Sequence, residues 1–114
     1  MFYVLVNSNG VSAQKAKKIP SIKQMQNLVG IPGKEAFFEV ASYHSFSEPG
    51  ITIFCDDNFP DQNWEPTLVT KEGSVIHGQC IILGTNLQAE DNCLLTQRQV
   101  ELIKREIRLV KPQE

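Results

Sequence analysis

No acidic residue occurs before Glu35, no C-x-x-C pair occurs anywhere, and no apolar run is longer than Met1–Val6. Each absence removes a class of function. Three cysteines, Cys55, Cys80 and Cys93, are separated by 25 and 13 residues, a spacing that offers neither a thioredoxin-like redox pair nor a zinc knuckle. Free and mostly buried thiols in a reducing compartment are expected instead. The six-residue apolar run is far below the roughly 20 residues needed to cross a bilayer. It lacks a basic flank and passes directly into Asn7-Ser8-Asn9-Gly10, so it reads as a first strand rather than a signal peptide. Gly does not follow Met1 and the C-terminal residues are Lys111-Pro112-Gln113-Glu114, which gives no lipidation signal. The expected compartment is the cytoplasm, with no membrane partner.

Motifs for bound groups are also missing. Gly30-Ile31-Pro32-Gly33-Lys34 lacks the phosphate-loop spacing and follows a helical pattern where a strand is required. The acidic stretch from Asp56 to Asp61 has no glycine at the turn position and no closing Glu, so it is not an EF-hand loop. No cofactor and no metal are expected.

What remains is an ordinary globular composition. The 114 residues are 41% hydrophobic and 21% charged, with six Phe, two Tyr and one Trp. That is core material for one domain of the commonest size. Asn9-Gly10 favours a type I′ hairpin, returning the first strand (Phe2 to Val6) as a lysine-bearing edge strand through Val11 to Ile19. Ser21 is placed to cap a short helix, with Ile22, Met25, Leu28 and Val29 at helical spacing and Gly30 ending it. Residues 36–43 and Ile51 to Cys55 read as strands, Asp56 to Pro66 as an irregular loop, and Thr67 to Thr70 as a short strand. Ser74 to Leu83 reads as one long strand with a bulge at Gly78, and Gly84 to Cys93 as loop. Thr96 and Gln99 form a capping box for the last helix, whose stripe is Val100, Ile103, Ile107 and Val110, with Pro112 as its stop. The expected fold is a single small α+β domain over residues 1–114: a mostly antiparallel or mixed sheet of about five strands, with two helices on one face and the longer helix C-terminal.

Charge is strongly segregated. Residues 1–34 hold five lysines and no acid, residues 35–95 ten acids and one base, and residues 96–114 five bases and three acids, for a net charge of −2. Juxtaposition of the second strand and the last helix would gather Lys15, Lys17, Lys18, Arg98, Arg105 and Arg108 into a basic face for phosphates. Interleaved aromatics are missing from it, and a pI near 5.7 is far from that of a typical nucleic-acid-binding domain. Solvated lysines on an edge strand and a solvated helix face account for the same residues. The acidic loop, with Asp56, Asp57, Asp61 and Trp64, offers carboxylates and an aromatic anchor to a partner, against a plain solvated loop tethered by its Trp. His44 and His77 are the only histidines. Pairing His77 with Cys80, or His44 with Cys55, would give a thiol–imidazole couple, but no nucleophile turn surrounds any Cys, and the i, i+3 spacing of His77 and Cys80 sends them to opposite faces of a regular strand.

Leu28-Val29-Gly30, Phe37-Phe38-Glu39-Val40, Ile53-Phe54-Cys55-Asp56-Asp57-Asn58, the strand Ile76 to Gly84, and Leu95-Thr96 followed by Gln99 occur in an order that resembles a family of small domains carried by phages, plasmids and bacterial genomes. Members of that family close on a strand, Gly, strand, then L-T-x-x-Q helix. Their acidic turn after the central strand often contains Gly, which Asp56-Asp57-Asn58-Phe59 lacks. The family has no assigned catalytic residues. The resemblance implies a cytoplasmic accessory protein of a mobile element.

The sequence therefore points to a non-catalytic binding or interaction module for a host protein or small ligand, acting through Asp56, Asp57, Asp61 and Trp64 or through the basic face. Two alternatives accompany it: a nucleotide- or nucleic-acid-binding protein using Lys15, Lys17, Lys18, Arg105 and Arg108, and a small thiol-dependent enzyme. The edge strand after Asn9-Gly10 offers a route to a homodimer.

Overall fold

Strand β7 (Cys80–Asn86) is apolar at successive positions, and a strand of that kind must be covered on both faces. A computed structural model describes residues 1–29, 38–42, 45–56, 65–89 and 91–110 and places this strand at the centre of the sheet. On one side β7 pairs with β1 (Phe2–Asn7), on the other with β4 (Ile51–Asp56), both antiparallel. The hairpin partner of β1, β2 (Gly10–Lys15), forms one edge, and β3 (Phe38–Ser42), paired with β4, forms the other. The order is β2-β1-β7-β4-β3.

The two faces have separate covers. Helix α1 (Ile22–Val29) lies on one, packing Met25 and Val29 against Phe54, Ile81 and Leu83. Helix α2 (Gln97–Glu106) lies on the other, packing Val100, Leu102 and Ile103 against Val4, Val6, Ile53 and Ile82. A two-stranded sheet, β5 (Pro66–Val69) with β6 (Val75–His77), covers the same face through Leu68 and Ile76. The expectation of both helices on one face is thus corrected. With Ile51 to Asp56 buried at every position, one cover would leave half of these side chains in water.

Other boundaries shift for local reasons. The first hairpin forms, but its loop is Ser8-Asn9, with Asn7 opposite Gly10 and the Asn7 carboxamide oxygen accepting from the Asn9 amide at 2.9 Å. Strand β2 ends at Lys15, opposite Phe2, rather than at Ile19. The long strand expected over Ser74 to Leu83 is two strands in two sheets. Gly78 between them has φ +81°, a left-handed conformation open to Gly and strained for other residues. Its amide donates to the Glu65 carbonyl at 3.0 Å, and its carbonyl accepts from the Thr67 hydroxyl at 2.6 Å. The segment from Gly84 to Cys93, expected as loop, is a hairpin in which β8 (Asp91–Cys93) pairs with the end of β7. Helix α2 stops at Glu106. Ile107 is extended, and the chain continues as a partner of β5: the Val69 amide donates to the Arg108 carbonyl at 2.8 Å and the Val110 amide to the Thr67 carbonyl at 3.0 Å. The capping box of Thr96 and Gln99 is present as expected.

Segment 45–50 straps α2 from outside. Glu106 accepts from the Ser47 amide at 2.7 Å and from its hydroxyl at 2.5 Å, which hold its carboxyl below the usual range. Arg98 donates to Glu48 at 2.6 Å, and Phe46 of the same segment is buried in the core. No helix among the described residues is long and apolar enough to cross a membrane.

Close approach explains Gly84. A Cβ there would lie 2.9 Å from Cys93 Sγ and 3.3 Å from the carbonyl oxygens of Cys93 and Leu94. Gly84→Ala is expected to destabilise the fold by about 1–3 kcal/mol through overpacking, read by urea denaturation. Adding Cys93→Ala should recover part of the loss, because the sulfur is removed and the carbonyls remain. An unchanged urea midpoint in Gly84→Ala would show that the hairpin gives way freely.

Candidate functional site

A concavity of about 460 Å³ lies on the α1 side of the sheet. Three sequence features build it. Tyr3 alternates with Val4 on β1 and so faces α1, where it packs on that cluster. The chain leaves β2 at Lys15 and crosses over to Pro20 without regular structure, and Lys15, Lys18 and Ile19 of this stretch line the cavity. Helix α1 then closes the far wall with Gln24, Asn27 and Leu28.

That wall is fixed. Ser21 and Gln24 form a second capping box: the Gln24 amide donates to the Ser21 hydroxyl at 3.2 Å, and the Gln24 carboxamide oxygen accepts from the Ser21 amide at 2.8 Å. At the other end of α1, Gln79 donates its carboxamide to the Leu28 carbonyl at 2.6 Å and accepts from Asn7 at 3.1 Å. One of the helix's orphan carbonyls is thereby satisfied, and α1 is tied to both β1 and the start of β7. Sequence reasoning identified Lys15, Lys18 and the Ser21 cap but missed Tyr3, Gln24, Asn27 and Gln79. For Gln24 a signal existed, since Ser21-x-x-Gln24 repeats the capping-box spacing of Thr96-x-x-Gln99.

The electrostatics of the cavity are one-sided. Among the described residues that line it there is no Asp or Glu. Among the described residues no ion pair engages Lys15, Lys17, Lys18 or Lys23, and the one observed joins Arg98 to Glu48. Lys17 is exposed outside the cavity.

The other candidates are dispersed. Asp56 ends β4 and is buried, opposite Phe38 of β3. Asp57, Asp61 and Trp64, and likewise His44, lie outside the described residues. Arg108 reaches the Thr70 carbonyl at 3.4 Å beside the small sheet, and Arg105 stands in the last turn of α2. These arginines belong to the α2 side, whereas Lys15 and Lys18 border a cavity walled by α1. His77 sits half-buried on β6, separated from Cys80 by the Gly78 corner. Cys80 is fully buried, and burial, with the neighbouring Cys55 thiol adding to it, pushes its thiol far above the ordinary value. Among the described residues, no group of three or more His, Cys, Asp and Glu side chains converges as a metal site would require.

No protein-family model matches the sequence, and neither a curated protein nor a solved structure matches it.

The thiols carry a measurable signature. Cys93 is exposed and Cys55 and Cys80 are buried, so a thiol reagent should titrate one group in the folded protein and three after denaturation. The unfolded chain releases the Cys80 proton from about pH 9, while the folded chain retains it. Stability should therefore fall as pH rises above that point, at about 1.4 kcal/mol per pH unit from this group. Cys80→Ala should flatten the decline in urea titrations. Rapid native labelling of Cys80 would contradict its placement.

Proposed function

We propose that the protein is a non-catalytic binding module that takes its ligand in the Lys15/Lys18 cavity. The observation that carries this reading is the cavity itself. At about 460 Å³ it falls in the size range of small-ligand sites, roughly 300–1,000 Å³. Its apolar wall and a few convergent polar groups are the usual composition of such sites. Both ends of α1 are held by side-chain hydrogen bonds, so the wall is preorganised and little ordering entropy is lost on binding.

The burial of Cys80 draws support away from a thiol-dependent enzyme built on that residue. A nucleophilic cysteine works as its thiolate, and burial keeps Cys80 protonated. Support for an extended nucleic-acid surface is reduced by the division of the bases between the α1 and α2 sides, because a polyanion would need them on one continuous track. A compact ligand needs only Lys15 and Lys18. Recruitment of a host protein by a mobile-element accessory through Asp56, Asp57, Asp61 and Trp64 draws less support, since Asp56 is turned into the fold.

Equilibrium dialysis of the full chain against a cytosolic metabolite extract, followed by denaturation and mass spectrometry of what is released, tests the reading. A retained small molecule that shifts the backbone amide resonances of Tyr3, Lys18 and Asn27 is expected. If nothing is retained and no amide around the cavity moves, the binding-module reading at this site fails.

A further inference from the structure

We infer that the ligand of this cavity is an amphiphilic anion, with a phosphate or carboxylate head between Lys15 and Lys18 and an aliphatic or aromatic body lying on Ile19, Pro20 and Leu28. The inference rests on the proposed binding role of the cavity and adds the chemistry of what fills it.

The head is argued from unbalanced charge. Lys15 and Lys18 border one small space with no carboxylate among the described residues that line it, and residues 1–34 contain no acid at all. Lys23, on the first turn of α1, is a further cation of the same stretch of chain. Lysine ammoniums are compact point charges that bind phosphate and carboxylate oxygens. An anion seated between two of them removes their mutual repulsion, which a neutral ligand would leave in place. The neighbouring side chains add donors: the Gln24 carboxamide oxygen is committed to the Ser21 amide, which leaves its NH₂ free to donate, and Asn27 is exposed on the same wall.

The body is argued from apolar surface beside those charges. Ile19 lines the cavity and is 39% exposed, and Ile22, one turn of chain further on, is 66% exposed. Two of the five exposed large hydrophobic residues of the described chain thus fall within a stretch that also carries Lys15, Lys17, Lys18 and Lys23. An inorganic anion would leave Ile19 and Leu28 in water, and a neutral hydrocarbon would leave the lysines without a counterion. A molecule with both parts satisfies both. The same chemistry is presented by a free organic phosphate and by the headgroup of an anionic lipid.

Four probes separate these possibilities in ¹H–¹⁵N titrations of the full chain below any micelle-forming concentration: octyl phosphate, inorganic phosphate, octyl glucoside, and vesicles of phosphatidylglycerol against phosphatidylcholine. Octyl phosphate should shift the amides of Tyr3, Lys15 to Ile19 and Asn27, and bind at least tenfold more tightly than either inorganic phosphate or octyl glucoside. Lys15→Gln and Lys18→Gln should each weaken it roughly tenfold, as expected for loss of a charge-assisted hydrogen bond. The control Arg105→Gln/Arg108→Gln should leave it unchanged, with circular dichroism confirming that each variant is folded. Cosedimentation with phosphatidylglycerol vesicles that octyl phosphate reverses would assign the head to a lipid, and binding of octyl phosphate without cosedimentation would assign it to a free ligand; either supports the inference. Octyl glucoside binding the cavity as tightly as octyl phosphate would overturn the anionic head, and inorganic phosphate doing so would overturn the apolar body, while both results leave the cavity a binding site. No shift at the cavity with any probe or with the metabolite extract would remove both the inference and the reading on which it rests.

Discussion

Everything in this fold depends on β7 being buried on both faces. Ile81, Ile82 and Leu83 are three successive residues with no solvent exposure, and in a strand successive side chains point to opposite sides. Ile82 therefore needs the α2 cover and Ile81 and Leu83 need the α1 cover. Each buried side chain of this size contributes about 1.5–3 kcal/mol relative to exposure, so neither cover is dispensable. The rest of the architecture solves the problem of supplying two covers from a short chain. Helix α1 is placed between the first hairpin and β3. Helix α2 comes last and is supplemented on its side by the small β5–β6 sheet, to which the chain returns after the helix.

Elements held by a local sequence device were legible in advance, and elements held by a distant partner were not. Thr96 and Gln99 specify a helix start within four residues, and Asn9-Gly10 marks a hairpin. The end of α2 carried no such mark: Ile107 and Val110 continue the apolar stripe, and they leave the helix because Thr67 and Val69 on β5 offer backbone partners. Strand β8 was invisible for a related reason. Asp91, Asn92 and Cys93 are all exposed, so the strand shows no alternation, and its pairing comes from the hairpin with β7. Gly78 was recognised as a break in regularity, but a bulge and a corner between two sheets share the same local residue. What separates them is the hydrogen bonding to Glu65 and Thr67, more than ten residues away.

The candidate site was legible in its charges and hidden in its walls. Five lysines without an acid are a property of composition and can be counted. Their division from Arg105 and Arg108 is a property of topology: it follows from α1 and α2 lying on opposite faces, which in turn follows from the two-sided burial of β7. Tyr3 was read as part of a first strand, and its role as a cavity wall emerges only once α1 is known to lie on its side. Gln79 had no signal in the sequence. It acts by spanning from β7 to the last turn of α1, where its carboxamide reaches groups 51 and 72 residues away in the chain.

The cations of this protein divide by what they hold. Arg98 fastens the 45–50 strap to α2 through Glu48, and Arg108 reaches a backbone carbonyl of the small sheet. Lys15 and Lys18 have no such partner among the described residues, although carboxylates outnumber basic residues in the chain, 13 to 11. Exposed like charges along one segment repel, and an edge strand requires only modest charge to discourage pairing with other chains. Lys15 on the edge meets that need. Lys18 lies beyond the strand and lines the concavity, where Ile19 is also left partly exposed. Lys15 and Lys18, like Lys17 and Lys23, are exposed and engage no ion pair among the described residues, so the basic character of this segment follows from its composition and from the topology that sets it apart from α2, not from any contact that fastens the fold.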